Sequence, residues 1–273
     1  MKKTGATASK KTTIYDIANE VGTSSATVSR VLSNSGYPVR KELRASILEA
    51  AKRLNYSPNI IGRMLKKCDS RDIGVIIPTI SNPFYPRMVL GIELEARSRG
   101  YGILLCNSFR DAVTERKYIE SLYQKQVTGI IISSINENHE FLRDMQKSGL
   151  SIVAFDQDIE GINCSKVCFN FMKGGIMAVE HLIEMGHKNI AFLTSPLTRK
   201  SRREALEGYR LALFKNGLGY RQENIIVSDY EQESADGTYE FENGRMLAKR
   251  FLKLKNRPTA IFAVNDMTAF GII

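Results

Sequence analysis

Histidine and cysteine are scarce in this chain, and neither is arranged for chemistry. His139, His181 and His187 stand in polar helical or loop contexts without a spaced Cys or His partner set. They read as surface or capping residues, and no metal site is expected. Of Cys68, Cys106, Cys164 and Cys168, the last two are too few for a structural zinc site. No secretory signal precedes them, which argues against a disulfide and for a reduced, cytoplasmic protein. A phosphate-cradling Gly-x-x-x-x-Gly-Lys loop is missing, and no Gly-x-Gly-x-x-Gly follows a strand. No cofactor is therefore expected, and the chain is not read as an enzyme. It also lacks a long apolar span and a lipidation signal, which excludes a membrane partner.

Negative charge is the remaining shortage. The chain holds 29 Asp plus Glu against 39 Lys plus Arg, a net of +10. Residues 1–72 alone hold 14 basic and 6 acidic residues, a net of +8, so the other 201 residues carry only +2. Positive charge concentrated in one quarter of a chain is the electrostatic footprint of phosphate binding. Residues 1–12, rich in Lys, Ser and Thr with no apolar run, read as a disordered basic arm.

The basic quarter opens with two short amphipathic patterns joined by a glycine. Ile14, Ile17, Ala18 and Val21 fall at i, i+3, i+4 and i+7, one face of a helix. Thr13 with Asp16 three residues on approximates a capping box, and Gly22 ends the pattern. Ser24 is the candidate second N-cap, after which Val28, Val31 and Leu32 face inward. Ser25, Ala26, Ser29 and Arg30 are left outside, a small, polar and basic face. A recognition helix needs a first turn small enough to approach base edges and a side chain able to fork onto guanine. Ser25, Ala26 and Arg30 meet both demands. A further stripe, Leu43, Ile47, Ala50, Ala51 and Leu54, supplies a third helix that closes a small core.

With the motifs Thr13-Ile-Tyr-Asp-Ile-Ala18, Ala26-Thr-Val-Ser-Arg-Val-Leu32 and Leu54-Asn-Tyr-Ser-Pro-Asn59, the chain resembles the lactose/galactose repressor family of bacterial transcription regulators. The resemblance runs to the last residue. It implies that Ser25, Ala26 and Arg30 occupy base-reading positions and that Tyr15, Thr27 and Ser29 touch operator bases or backbone. Ile14, Ser24, Tyr56 and Asn59 complete the DNA-facing set. Leu65 matches a hinge leucine that, paired with its twin, wedges into the minor groove at the operator centre. Two departures stand out. Arg40 sits where the third helix usually has a small capping hydroxyl. Gly62 stands for a usual alanine in the hinge, where glycine costs roughly 0.5–1 kcal/mol, so the hinge helix is expected to form only on DNA.

From residue 73 onward short apolar runs, at 73–77, 102–106, 129–132, 151–155, 190–193, 225–227 and 260–264, alternate with helical patterns at 88–99, 115–125, 175–185, 203–216 and 244–254. Such alternation predicts buried parallel strands in a doubly wound α/β body. The expected organisation is thus an arm (1–12), an all-α three-helix helix-turn-helix head (13–58), a hinge helix and linker (59–72), and a body (73–273). The resemblance implies that this body is of the periplasmic-binding-protein type, with two subdomains and a crossover near 156–170. Open α/β sheets bind ligands beyond the carboxyl ends of their strands, which selects residues 79–84, Asn107, Ser133, Asp156, Thr194, Ser195, Asn265 and Asp266. Any of these could instead merely cap the next helix. By the resemblance Asp156 and Asn265 hydrogen-bond an effector and Phe169 lines its cleft; Asn82 and Phe84 join them from the first post-strand loop.

The anchor that sugar- or purine-binding members carry is missing: Arg203-Glu-Ala-Leu-Glu-Gly-Tyr209 puts Ala205 where they have arginine, leaving Arg202 or Arg203 to compensate. Asn170 and Phe171 also replace a usual Asp-Asn pair. The effector implied is a small molecule, sugar-like or not, or a protein co-repressor. The other expected partners are a pseudopalindromic DNA duplex and a second copy of the chain. Residues 267–273 read as the middle of an apolar helix, so the body is expected to be an incomplete, C-terminally truncated form.

Overall fold

The computed structural model describes residues 12–33, 36–54, 56, 71–229, 231 and 237–273. The chain divides into two compact units, Met1–Cys68 and Asp69–Ile273.

The first unit holds three helices, α1 (Ile14–Val21), α2 (Ser25–Leu32) and α3 (Lys41–Arg53). Local chemistry sets their ends. The Asp16 carboxylate accepts both the N–H and the hydroxyl of Thr13 at 2.7 Å. Gly22 stops α1 at φ +68°, a left-handed conformation that glycine adopts without a Cβ penalty. Ser24 Oγ accepts the Thr27 N–H at 3.1 Å to start α2. Arg40 gives α3 no side-chain cap, as its sequence predicts. The inward stripes meet as one core of Ile17, Ala18, Val28, Val31, Ile47, Ala50 and Ala51. Ile17, Val28 and Ile47 are fully buried, and each contributes about 1.5–3 kcal/mol by leaving water. Thr12, expected in the arm, donates its hydroxyl to the Leu54 carbonyl at 2.9 Å and so belongs to the head.

In the second unit the order is β1 (Asp72–Ile77), α4 (Phe84–Ser98), β2 (Gly102–Asn107), α5 (Ala112–Gln124), β3 (Gly129–Ile132), α6 (Glu140–Lys147), β4 (Ser151–Phe155), β5 (Ser165–Val167), α7 (Phe171–Glu184), β6 (Ile190–Thr194), α8 (Lys200–Lys215), a 3₁₀ turn (Gln222–Asn224), β7 (Ile225–Val227), α9 (Tyr239–Phe251), β8 (Ala260–Ala263) and α10 (Asp266–Ile272). Two parallel sheets form, ordered β2-β1-β3-β4-β5 and β7-β6-β8. Asp72, expected as the last linker residue, pairs with Gly102 and opens β1.

Two elements were not expected from the sequence. β5 is exposed and has no apolar run; it forms because the edge of β4 offers a partner, pairing Val153 with Ser165 and Phe155 with Val167. α6 buries only Leu142, too little for a periodic signal. Helix α4 starts four residues earlier than its apolar pattern suggests. Pro86 lies in its first turn, where a backbone N–H has no intrahelical partner to lose.

Helices α7 and α8 pack backbone to backbone. A Cβ at Gly208 would lie 2.2 Å from the Met172 carbonyl oxygen, and one at Gly175 would lie 2.6 Å from that of Ala205. Glycine alone permits this approach, which fixes where the first turn of α8 points.

Candidate functional site

On the head, the outer face of α2 is open. Ala26, Ser29 and Arg30 are exposed, with Ser25 and Thr27 half-buried beside them. Tyr15 on α1 is 65% exposed. The Ser24 and Thr27 hydroxyls lie 2.9 Å apart and are engaged in the cap. Ile14 and Tyr56 instead pack half-buried against the head core, where they support the helices. Asn59, Leu65 and Gly62 lie outside the described residues. Sequence reasoning missed Tyr37, whose ring lies under the Arg30 guanidinium at 4.2 Å from its centroid. Such a stack orders a long side chain. Its only sequence signal is an aromatic in the polar loop after α2.

In the body, the carboxyl ends of the strands of both sheets face a cavity of about 730 Å³, lined by Asn82, Phe84, Asp156, Phe169 and Asn265 among others. All five effector positions expected from the sequence therefore come together, within the size range of small-molecule sites. Asn107, Ser133, Thr194 and Ser195 do not line it; Ser133 and Ser195 instead hold groups behind its wall.

Asp156 is the most constrained of the five. It sits at φ +63°, a strained conformation for a residue with a side chain. Its Oδ2 accepts from Tyr85 Oη at 3.0 Å, Ser133 Oγ at 3.2 Å and Gln157 Nε2 at 3.0 Å. Oδ1 makes no hydrogen bond among the described residues. Burial, with the Asp156 charge beside it, pushes the Tyr85 hydroxyl well above its ordinary pKa, so it stays a donor. Phe169, half exposed, stands edge-on to Phe84 at 5.6 Å and Phe171 at 6.0 Å, making an aromatic wall. Asn265 also caps α10, its Oδ1 accepting the Thr268 N–H, and Asn82 Oδ1 accepts the Phe84 N–H in the turn before α4, while both Nδ2 groups donate to Glu240, at 3.1 and 2.5 Å.

One turn before Ala205 the same helix still brings an arginine to the cavity. Arg202, three residues before Ala205 and on the same helix face, lines the cavity, whereas Arg203 turns outward onto the Leu197 and Thr198 carbonyls. Arg199 and Arg110 line it too, and neither was expected from the sequence. Arg110 and its neighbour Phe109 both adopt positive φ, +57° and +53°. The Arg110 N–H holds this turn by donating to the Pro78 carbonyl at 3.0 Å. From there Arg110 reaches Glu231 and Glu240, each at 2.8 Å. Among the described residues no group of His, Cys, Asp and Glu could hold a metal, and no helix is long and apolar enough to cross a membrane.

Comparison with known proteins matches both units. Residues 13–59 match the bacterial regulatory proteins of the lacI family, and residues 70–273 match the periplasmic binding proteins and sugar binding domain of LacI family. Catabolite control protein A of Priestia megaterium is 36% identical over 263 residues, covering 96% of this chain and 76% of its own. The ribose operon repressor of Escherichia coli K12 is 33% identical over 267 residues, covering 95% of this chain and 76% of its own. The crystal structure of the lac repressor dimer bound to operator and the anti-inducer ONPF shares the fold, with a TM-score of 0.79 at 24% identity over 96% of this chain and 76% of that one. The chain therefore belongs to the LacI family of bacterial regulatory proteins, and is a DNA-binding transcriptional regulator rather than an enzyme.

Proposed function

We propose that this protein is a cytoplasmic repressor of a catabolic operon that acts as a homodimer on a pseudopalindromic operator. The carrying observation is the exposed, small and basic face of α2, with Arg30 ordered on Tyr37. Ser25, Ala26 and Arg30 read base edges in the major groove, and Tyr15, Thr27 and Ser29 fix the head on bases and backbone. The hinge, with Asn59 and Leu65, enters the minor groove at the operator centre.

A small molecule in the body cavity sets the balance, acting through Asn82, Phe84, Asp156, Phe169 and Asn265. It does so by binding one closure state of the two subdomains more tightly than the other. The cavity favours this over a protein co-repressor as the control, since it already collects these five positions.

Fluorescence anisotropy on a palindromic duplex with a central CG step and on a scrambled duplex, across a salt series, tests the reading. Preferential binding with a steep salt slope supports it. Weak, equal binding to both duplexes contradicts it.

A further inference from the structure

One carboxylate in the cleft holds both of the asparagines that face the cavity. Glu240, the second residue of α9, is buried. Its Oε2 accepts from Asn82 Nδ2 at 2.5 Å, and its Oε1 accepts from Asn265 Nδ2 at 3.1 Å and Arg110 Nη2 at 2.8 Å. Asn82 follows β1 of the five-stranded sheet, whereas Glu240 lies on α9 and Asn265 follows β8, both beside the three-stranded sheet. The carboxylate therefore ties a loop of one sheet to two helices of the other. Backbone approach is tight here as well: at Gly237, three residues before Glu240, a Cβ would run into Ser81 Oγ.

Neither asparagine amide is free to turn over. Asn82 Oδ1 accepts the Phe84 N–H at 2.9 Å, and Asn265 Oδ1 accepts the Thr268 N–H at 2.8 Å. Both N–H groups lie in the first turn of a helix, where no intrahelical carbonyl is available to them. With the two oxygens pinned, both Nδ2 ends must point toward Glu240, and only a group that accepts at both of its ends can meet them. A carboxylate does so; a carboxamide does not, because one of its ends is itself a donor. The second Nδ2 hydrogen of each amide makes no hydrogen bond among the described residues, and both asparagines line the cavity.

We propose that Glu240 is a positioning residue of the effector cleft. By taking one hydrogen from each amide it fixes Asn82 and Asn265 as donors toward the ligand, never as acceptors, and it does so from both sheets at once. This rests on the cleft being the effector site. The molecule that fits presents lone pairs to the two amides and a hydrogen to Asp156 Oδ1. Hydroxyl groups can do both; an ammonium group has no lone pair and would set donor against donor at the asparagines. Glu240 acts through the two amides, and because Asn82 and Asn265 belong to different sheets, orienting them also sets how far apart the two cleft walls stand.

Amide hydrogen exchange in the full chain tests this without a ligand. In Glu240→Gln the carboxamide oxygen goes to the side of Arg110 and Asn265, where two donors meet it, so the new Nε2 faces Asn82 Nδ2. Asn82 then turns its oxygen inward and releases the Phe84 N–H, whose exchange should speed up about tenfold, while that of Thr268 is unchanged. Adding Asn82→Asp supplies an acceptor to both neighbours and should restore the protection of Phe84. Exchange at Phe84 that Glu240→Gln does not move, or that Asn82→Asp does not restore, overturns the proposal. Should Glu240→Gln fail to fold, the double variant should still fold and protect Phe84 as the wild type does; failure of both overturns it too. Calorimetric titration with D-ribose and D-glucose gives the second readout, since an aspartate has no hydrogen to offer a ligand. A sugar that binds the wild type should bind about tenfold more weakly to Glu240→Gln and stay weak in the double variant, although exchange there is restored. Recovery of its affinity in the double variant would leave Glu240 a purely structural tie and overturn the proposal. If neither sugar binds the wild type, it is the sugar-like reading of the effector that fails, and the exchange rates still decide the role of Glu240.

Discussion

The head and the body place their arginines in opposite environments. In the head Arg30 lies in solvent over Tyr37, on a helix whose inner face is entirely aliphatic. In the body Arg110, Arg199 and Arg202 are buried against Glu231 and Glu240. An exposed cation acts over a Debye length and is screened by salt, whereas a buried one acts at contact and is barely screened. The same residue type thus provides long-range attraction to a polyanion in one unit and a shaped, short-range site in the other. The contrast teaches that net charge locates only the first kind of site: the +10 of the chain resides almost wholly in its first quarter, while the cleft cations are nearly cancelled by neighbouring carboxylates.

The comparison can be broken most forcefully at Arg110. Arg110→Ala leaves Glu240 and part of Glu231 without their shared cation, and should cost the body about 3 kcal/mol in a denaturant titration, as for other buried pairs deprived of one partner. A loss as small as that of a surface pair would show that burial does not distinguish the two sets.

Acid sharpens the same contrast. A carboxyl held below its ordinary value of 4.5 contributes stability that is complete above 4.5 and is lost as pH falls toward its folded value of about 2. The thermal midpoint of the body should fall across that window, and less so in Glu231→Gln. Identical pH profiles for the two proteins would rule out this cause.

On the head, Arg30→Ala should weaken operator binding by about 1–3 kcal/mol and hardly change binding to random DNA. Equal losses on both duplexes would make Arg30 a phosphate contact instead. The smallest effect belongs to Tyr37→Ala, about 0.5–1 kcal/mol of operator affinity through loss of the cation–π stack, with Tyr37→Phe close to wild type. If alanine and phenylalanine behave alike, the ring does not position Arg30.

How much of this was legible in the sequence differs residue by residue. Thr13, Asp16, Gly22 and Ser24 act within a few residues of themselves, so their caps could be read directly. Asn82, Asp156 and Asn265 are far apart in sequence yet were selectable, because parallel strands carry all their carboxyl ends to one edge. Arg202 was named only as one of two substitutes for the missing anchor, since helix register alone decides that it, and not Arg203, faces the cavity. Arg110, Arg199, Glu231 and Glu240 carried no signal at all. Arg110 and Glu231 are 121 residues apart, Arg110 and Glu240 130 apart, and none lies in a periodic pattern.

By itself, then, the sequence determined the caps of the first two helices, the aliphatic stripes of the head, the basic face of α2 and the alternation of strands with helices, because each follows from local hydrogen bonding or from periodic burial. Only the tertiary structure decided what fills the cleft wall, through the pairing of β5 on β4, the close approach of α7 and α8, and the meeting of Arg110, Arg199 and Arg202 on Glu231. Those contacts depend on where distant loops are carried by the two sheets, and no short-range rule encodes that distance.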